Sequence, residues 1–186
     1  MADLSKYEDS ALIDAFINSK KDANKAFAEI YDRHSKNIFA YILKIVNNRE
    51  QAEDLFQETF IRFYQNVKFN YKGGSLIGFL ITIARNLCLN FKRDNKPAIS
   101  LEEVNFGAPV ADTDVNSEYK EIVTAALDLL DLELKELLVL RIYDGMRYED
   151  IAEITGMTVG NARLKVFRAK EKLRSILTPY LKEYIS

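Results

Sequence analysis

The sequence predicts an all-α protein: two small helical domains joined by a flexible acidic linker, the second containing a helix-turn-helix. Three observations predict it. Apolar residues recur at three- and four-residue intervals along most of the chain, the period of an amphipathic helix, and no alternating strand pattern bounded by turn signals competes. Basic residues gather in two separate stretches, 61–96 and 159–174, whereas 99–118 carries Glu102, Glu103, Asp112, Asp114 and Glu118 with no Lys or Arg. Two of the three prolines fall within 95–117, among small polar residues of little periodicity, the composition of a tether. These features divide the chain into 1–94, 95–117 and 118–186.

Taken in order, the first apolar run is Phe27, Ile30, Tyr31, His34, Ile38, Ile42 and Ile45, and the second is Ala52, Leu55, Phe56, Thr59, Phe60, Phe63 and Val67. The third is Leu76, Phe79, Leu80, Ile83, Ala84, Leu87 and Phe91. Lys72-Gly73-Gly74 separates the last two, because adjacent glycines disfavour helix and permit a sharp loop. Within the tether, Ser100 and Glu103 have the spacing that caps a short turn. Ile122, Ala126, Leu129 and Leu130, then Leu134, Leu137, Leu138 and Ile142, predict two short helices leading into the helix-turn-helix. That motif spans 147–174. Ile151 and Ile154 share a face of its first helix, Thr155-Gly156 ends it, and Thr158 is placed to cap the second, whose inner residues are Val159, Ala162, Val166, Ala169 and Leu173. The C-terminal domain is thus about four helices.

Composition narrows the function. With 186 residues and 48% hydrophobic content the chain has ample material for packed cores. No run approaches the ~20 apolar residues of a membrane span, and MADLSKYEDS lacks a signal peptide's basic start and apolar core. The expectation is a soluble cytoplasmic protein with no membrane insertion. The single Cys88 sits in an apolar helical register and reads as core, so neither an internal disulfide nor a Cys-based zinc site is available. His34 lies on an apolar stripe with no ligand-spaced companion, which favours a core or partner-facing role over a metal. No phosphate-cradling glycine motif and no catalytic constellation is present, so neither an enzyme nor a cofactor is expected.

The basic stretches point to nucleic acid. Between 159 and 174, six cations (Arg163, Lys165, Arg168, Lys170, Lys172 and Arg174) stand against the one acid Glu171, off the apolar face. Such a helix fits the DNA major groove. Asn161 and Arg163 are placed for base edges, with Phe167 and Arg168 following; Arg147, Lys165, Lys170 and Lys172 suit phosphates. In the other stretch, Lys72, Arg85, Asn86, Lys92 and Arg93 mix with Phe69, Tyr71 and Phe79, the combination that holds phosphates and receives unstacked bases. Phe79 reads equally as core packing. Asp54, Gln57 and Glu58, at i, i+3 and i+4, share a helix face opposite Leu55, Thr59 and Phe63; taken alone this is a solvated acidic stripe.

Two basic modules, an acidic tether and this terminal motif together resemble a bacterial RNA polymerase sigma factor of the extracytoplasmic-function (ECF) type. The residues that carry the likeness run in the family's order from about 24 to 177. Ala52-Glu53-Asp54-Leu55-Phe56-Gln57-Glu58-Thr59-Phe60 is similar to the family's helix that docks on core RNA polymerase. Gly78-Phe79-Leu80, Ile83-Ala84-Arg85-Asn86 and Lys92-Arg93-Asp94 resemble the helix that melts and reads the minus-ten element. Tyr148-Glu149-Asp150-Ile151-Ala152 and Arg168-Ala169-Lys170 with Leu173 resemble the reader of the minus-thirty-five element. Phe79 stands where the family usually has Trp, and Gly160-Asn161-Ala162-Arg163 replaces a Gly-Thr-Val-Lys type of start. The resemblance implies that the acidic face of Asp54, Gln57 and Glu58 meets core polymerase. It also implies as partners promoter DNA, both duplex and melted non-template strand, and an anti-sigma factor of the kind that holds many relatives inactive. The rival reading is a stand-alone helix-turn-helix regulator whose N-terminal helices dimerise or sense a ligand.

Overall fold

The computed structural model describes residues 4–95 and 115–181. Residues 96–114 of the expected tether, with its Ser100 and Glu103, lie outside the described residues, as does the tail from 182. The described chain is helical between short turns, and it divides into two compact units, Met1–Asp94 and Asn95–Ser186.

In the first unit, a single helical turn at Leu4–Lys6 leads into α1 (Asp9–Asn18), followed by α2 (Ala23–Val46), α3 (Arg49–Asn70) and α4 (Leu76–Asp94). The last three pack mutually, and α1 lies on α2. Their inner faces are those the apolar runs foretold: Ile30, Ile38 and Ile42 of α2, Phe63 and Val67 of α3, and Leu80, Ala84 and Cys88 of α4 are all buried. The α2–α3 turn is made by two asparagines with different tasks. Asn47 takes the left-handed conformation, φ 54°, that ends α2, and Asn48 caps α3 by accepting the Gln51 N–H at 3.0 Å.

The sequence reading did not foresee α1. It is held at its inner end by Phe16, whose ring lies 5.8 Å from that of Phe27, 5.9 Å from Phe63 and 5.1 Å from Tyr64, so one side chain joins α1 to both α2 and α3. Its outer end is held by charge. Asp9 places one carboxylate oxygen 2.8 Å from Arg33 and the other 3.0 Å from His34 Nε2 on α2. His34 is only 8% exposed, so it is a core residue facing one carboxylate. Among the described residues no group of three His, Cys, Asp or Glu is placed to hold a metal, and no helix is long and apolar enough to cross a membrane.

The second unit runs through α5 (Val115–Asp128), α6 (Leu132–Leu138), a π-helical turn at Val139–Tyr143, α7 (Tyr148–Thr155) and α8 (Val159–Leu181). Helix α8 is the hub, packing on α5, α6 and α7. Leu127, Leu130, Leu138 and Ala169 centre the core, with Val123, Leu134, Leu173 and Ile176 around them. The π turn was not legible in advance. It widens the helix by one residue, with Asp144 N–H donating to the Val139 carbonyl, so that the run Leu137 to Leu140 is buried without a break. The helix-turn-helix forms as its residues dictate. Gly156 ends α7 at φ 72°, a conformation in which a side chain is strained, and Thr158 Oγ1 accepts the Asn161 N–H at 3.2 Å to start α8. Pro179 is accommodated in the last turns of α8.

Candidate nucleic-acid and polymerase interfaces

On α8, Ala162, Val166 and Ala169 are buried and Leu173 half-buried, which fixes the face turned to the core and, by the helical period, the face turned away. The centre of the outward face is Gly160, Leu164 and Phe167, at i, i+4 and i+7, followed by Glu171. Phe167 is 61% exposed and Leu164 47%, and a Cβ on Gly160 would meet nothing within 4 Å. Leu164 is a surface residue that the reading of cations and amides passed over.

The polar candidates flank this crest. Asn161 and Arg163, two residues apart, diverge by about 200° round the helix: Asn161 aligns with Arg168 on one flank and Arg163 with Lys170 on the other, and all four are exposed. Arg163 turns toward α7. Its guanidinium lies 3.7 Å from Glu149 and 5.4 Å from the centre of the Tyr148 ring, over which Arg141 also sits at 4.7 Å. At the α6 side, Lys165 pairs with Glu133, and Lys172 pairs with Asp131 at 2.8 Å. The Lys172 hydrogen bond holds the Asp131 carboxyl below its ordinary range. Arg147 forks onto Asp150 at 3.1 and 3.3 Å, and that hydrogen bonding raises its pKa further. So five of the cations named from sequence, Arg147, Arg163, Lys165, Lys172 and Arg174, already have acidic neighbours, while Arg168 and Lys170 stand exposed.

In the first unit, the loop before α4 is built by Gly73 and Gly74, both left-handed at φ 95° and 91°, and is closed by Tyr71 Oη donating to the Gly74 carbonyl at 2.7 Å. Ser75 Oγ then accepts the Gly78 N–H at 3.2 Å, starting α4. Phe79 is half-buried, its ring 5.4 Å from Tyr71 and 6.3 Å from Phe63, so it closes the aromatic cluster at the rim of this loop. Lys72 is exposed in the loop. Asn86 and Arg93, seven residues apart, share the outward face of α4, and Arg93 pairs with its neighbour Asp94. Arg85 is half-buried, and Lys92 reaches back to the Val46 carbonyl at 3.5 Å, at the end of α2. Phe69, at the end of α3, is 75% exposed.

On α3, Asp54 and Gln57 are exposed, and Glu58 is half-buried and bound to Arg62 at 2.6 Å. Thr59 and Phe63 are buried on the opposite side and Leu55 half-buried; the Thr59 hydroxyl is satisfied by the Leu55 carbonyl at 2.7 Å. Ile61, four residues after Gln57, brings an exposed apolar side chain to the centre of the Asp54 face. The sequence alone hides it, because Ile61 falls outside the apolar run of α3 and opens a basic stretch.

Comparison with known proteins bears on both units. Residues 30–97 match the family model of sigma-70 region 2, and residues 120–173 that of sigma-70 region 4. The ECF RNA polymerase sigma factor SigE of Mycolicibacterium smegmatis is 30% identical over 168 residues, 87% of this chain and 65% of that protein's length. The RNA polymerase sigma factor CarQ of Myxococcus xanthus is 30% identical over 158 residues, 83% of this chain and 91% of the relative. Among solved structures, CnrH in complex with the cytosolic domain of CnrY covers 92% of this chain and 97% of that one, at 18% identity and a TM-score of 0.71. The sigma factor RpoE in complex with the anti-sigma factor NepR, from Bartonella quintana, covers 83% and 98%, at 24% identity and a TM-score of 0.65. These two likenesses speak for the fold. The sequence matches speak for more: two sigma-70 regions in order, and a relative matched over nine-tenths of its length, place this chain in the family of RNA polymerase sigma factors, in its ECF class.

Proposed function

We propose that this sigma factor joins core RNA polymerase through the α3 face of Asp54, Gln57, Glu58 and Ile61, and that its two units read the two promoter elements. An exposed apolar centre rimmed by polar and acidic groups is the composition of a protein-docking patch. In the first unit (1–94), Lys72, Asn86 and Arg93, exposed on the loop and the outward face of α4, receive the melted minus-ten strand. Phe79, Arg85 and Lys92 shape that surface, since each is partly engaged by its own unit. In the second unit (118–186), α8 enters the major groove at the minus-thirty-five element, with Asn161, Arg163, Phe167 and Arg168 toward base edges and Arg147, Lys165, Lys170 and Lys172 toward phosphates. The tether between them runs from 95 to the start of α5 at Val115.

The protein performs no chemistry of its own and acts in the cytoplasm, beside the polymerase. An anti-sigma protein, of the kind bound to the RpoE relative, is the inhibitor for which the exposed α3 face offers a docking surface. The observation that carries the reading is the outward face of α8: a capped helix of a helix-turn-helix whose solvent side presents cations and an amide around an apolar crest. Run-off transcription with purified core polymerase, with and without this protein, on a pool of promoter-containing DNA tests it. Start-site-specific RNA that depends on the protein is expected. Tight duplex binding without any effect on core polymerase would instead support the stand-alone regulator.

A further inference from the structure

We propose that Leu164 and Phe167 read thymine 5-methyl groups on neighbouring base pairs of the upstream promoter element. This assignment rests on α8 being the minus-thirty-five reader. The crest of α8 lacks a hydrogen-bonding side chain over its first two turns: Gly160 leaves backbone bare, Leu164 stands 47% exposed, and Phe167 61% exposed. Glu171, which follows on the same face, is paired with Arg174 at 2.6 Å.

An exposed apolar crest needs an apolar counterpart. In the major groove the one apolar group that the bases present is the thymine methyl. Gly160 adds a second reason, because the absence of a side chain at the start of the crest lets the helix approach the base edges closely. The charge around the crest chooses DNA over a protein partner, since Asn161 and Arg168 flank it on one side and Arg163 and Lys170 on the other. Leu164 and Phe167 lie about 4.5 Å apart along the helix axis, close to the ~3.4 Å between successive base pairs. Adjacent thymines, on either strand, are therefore the fit.

The test uses the full chain with core polymerase. A promoter pool randomised upstream yields the preferred element, and each thymine in it is then replaced by deoxyuridine, which lacks only the methyl. A loss of about fourfold in promoter binding per methyl is expected, at two neighbouring positions. Leu164→Ser is expected to abolish the penalty at one of them while thymine preference elsewhere persists. Deoxyuridine tolerated at every upstream position, with transcription from the unmodified promoter intact, would overturn the assignment and leave the sigma reading standing. Loss of core-polymerase binding by Leu164→Ser, with deoxyuridine tolerated by the unaltered protein, would make the crest a protein-docking patch and overturn it equally. Absence of protein-dependent RNA on unmodified DNA would remove the sigma reading, and this assignment with it.

Discussion

The Lys172 ammonium on α8 lies 2.8 Å from the Asp131 carboxylate at the start of α6, 41 residues earlier in the chain. Together with Lys165 and Glu133 it forms a seam in which two cations of the proposed phosphate-binding flank are already countered by acids of their own unit. Exposed pairs of this kind add little to folding, yet each acid must be displaced or tolerated when a phosphate arrives. Asp131→Asn with Glu133→Gln is therefore expected to leave the thermal midpoint nearly unchanged. Promoter binding should tighten, by about two- to fivefold at low ionic strength, with the gain fading as salt rises. A salt titration of binding by the holoenzyme checks both parts; unchanged affinity at low salt would show that this flank stays clear of the DNA.

The α3 face separates two acids that the sequence treats alike. Asp54 is exposed, whereas Glu58 is tied to Arg62. Charge reversal at Asp54 is thus the cleaner probe, and Asp54→Lys is expected to lower holoenzyme assembly at least tenfold, with helicity by circular dichroism unchanged. Ile61→Ser should lower assembly by about fivefold without altering charge, the equivalent of about 1 kcal/mol for a truncated apolar contact at the centre of an interface. Wild-type assembly by both variants would dismiss this face.

Thr158 carries the first turn of α8 on one hydroxyl. Thr158→Ala should destabilise the second unit by about 1 kcal/mol, lower the chain's thermal midpoint by a few degrees and weaken duplex binding, while Thr158→Ser or Asp restores both. Calorimetry of the three variants decides whether the cap matters as its geometry requires.

His34 makes the first unit sensitive to acid. Burial lowers its pKa, against the opposing pull of Asp9, while neighbouring Arg33 lowers it a little further. A depressed folded value means that the unfolded chain binds the proton more readily. Stability is therefore full above the unfolded value of about 6.5 and is lost as pH falls through the folded value. Urea unfolding between pH 7.5 and 5 should show this decline, and His34→Gln should flatten it; a slope that survives the substitution would assign the effect to other groups.

Much of the fold was legible because α2, α3 and α4 each repeat an apolar stripe over about four or more turns, and the helix-turn-helix carries at its turn the residues its backbone needs. Helix α1 escaped because its buried residues, Leu12 and Ile13, occupy only one turn, and its docking depends on Asp9 meeting a histidine 25 residues away. The π turn escaped because an uninterrupted apolar run contains no periodicity to reveal a change of helix type. At the candidate site, counting cations points to α8 but not to its crest. Sequence distance hides the acids of α6 that face Lys165 and Lys172, and the divergence of Asn161 from Arg163 appears only once the buried face is known. Leu164 is apolar and stands two residues from buried Ala162 and two from buried Val166, so composition files it with the core.

The aromatic rim where Phe79 meets Tyr71 also gives the protein an optical character. The chain has ten tyrosines, eleven phenylalanines and no tryptophan, so it is dark under excitation at the red edge of indole absorption. Phe79→Trp would place a single indole in a half-buried slot beside the Gly73-Gly74 loop. Its emission would then follow local solvation during promoter opening without a competing signal from anywhere else in the polypeptide.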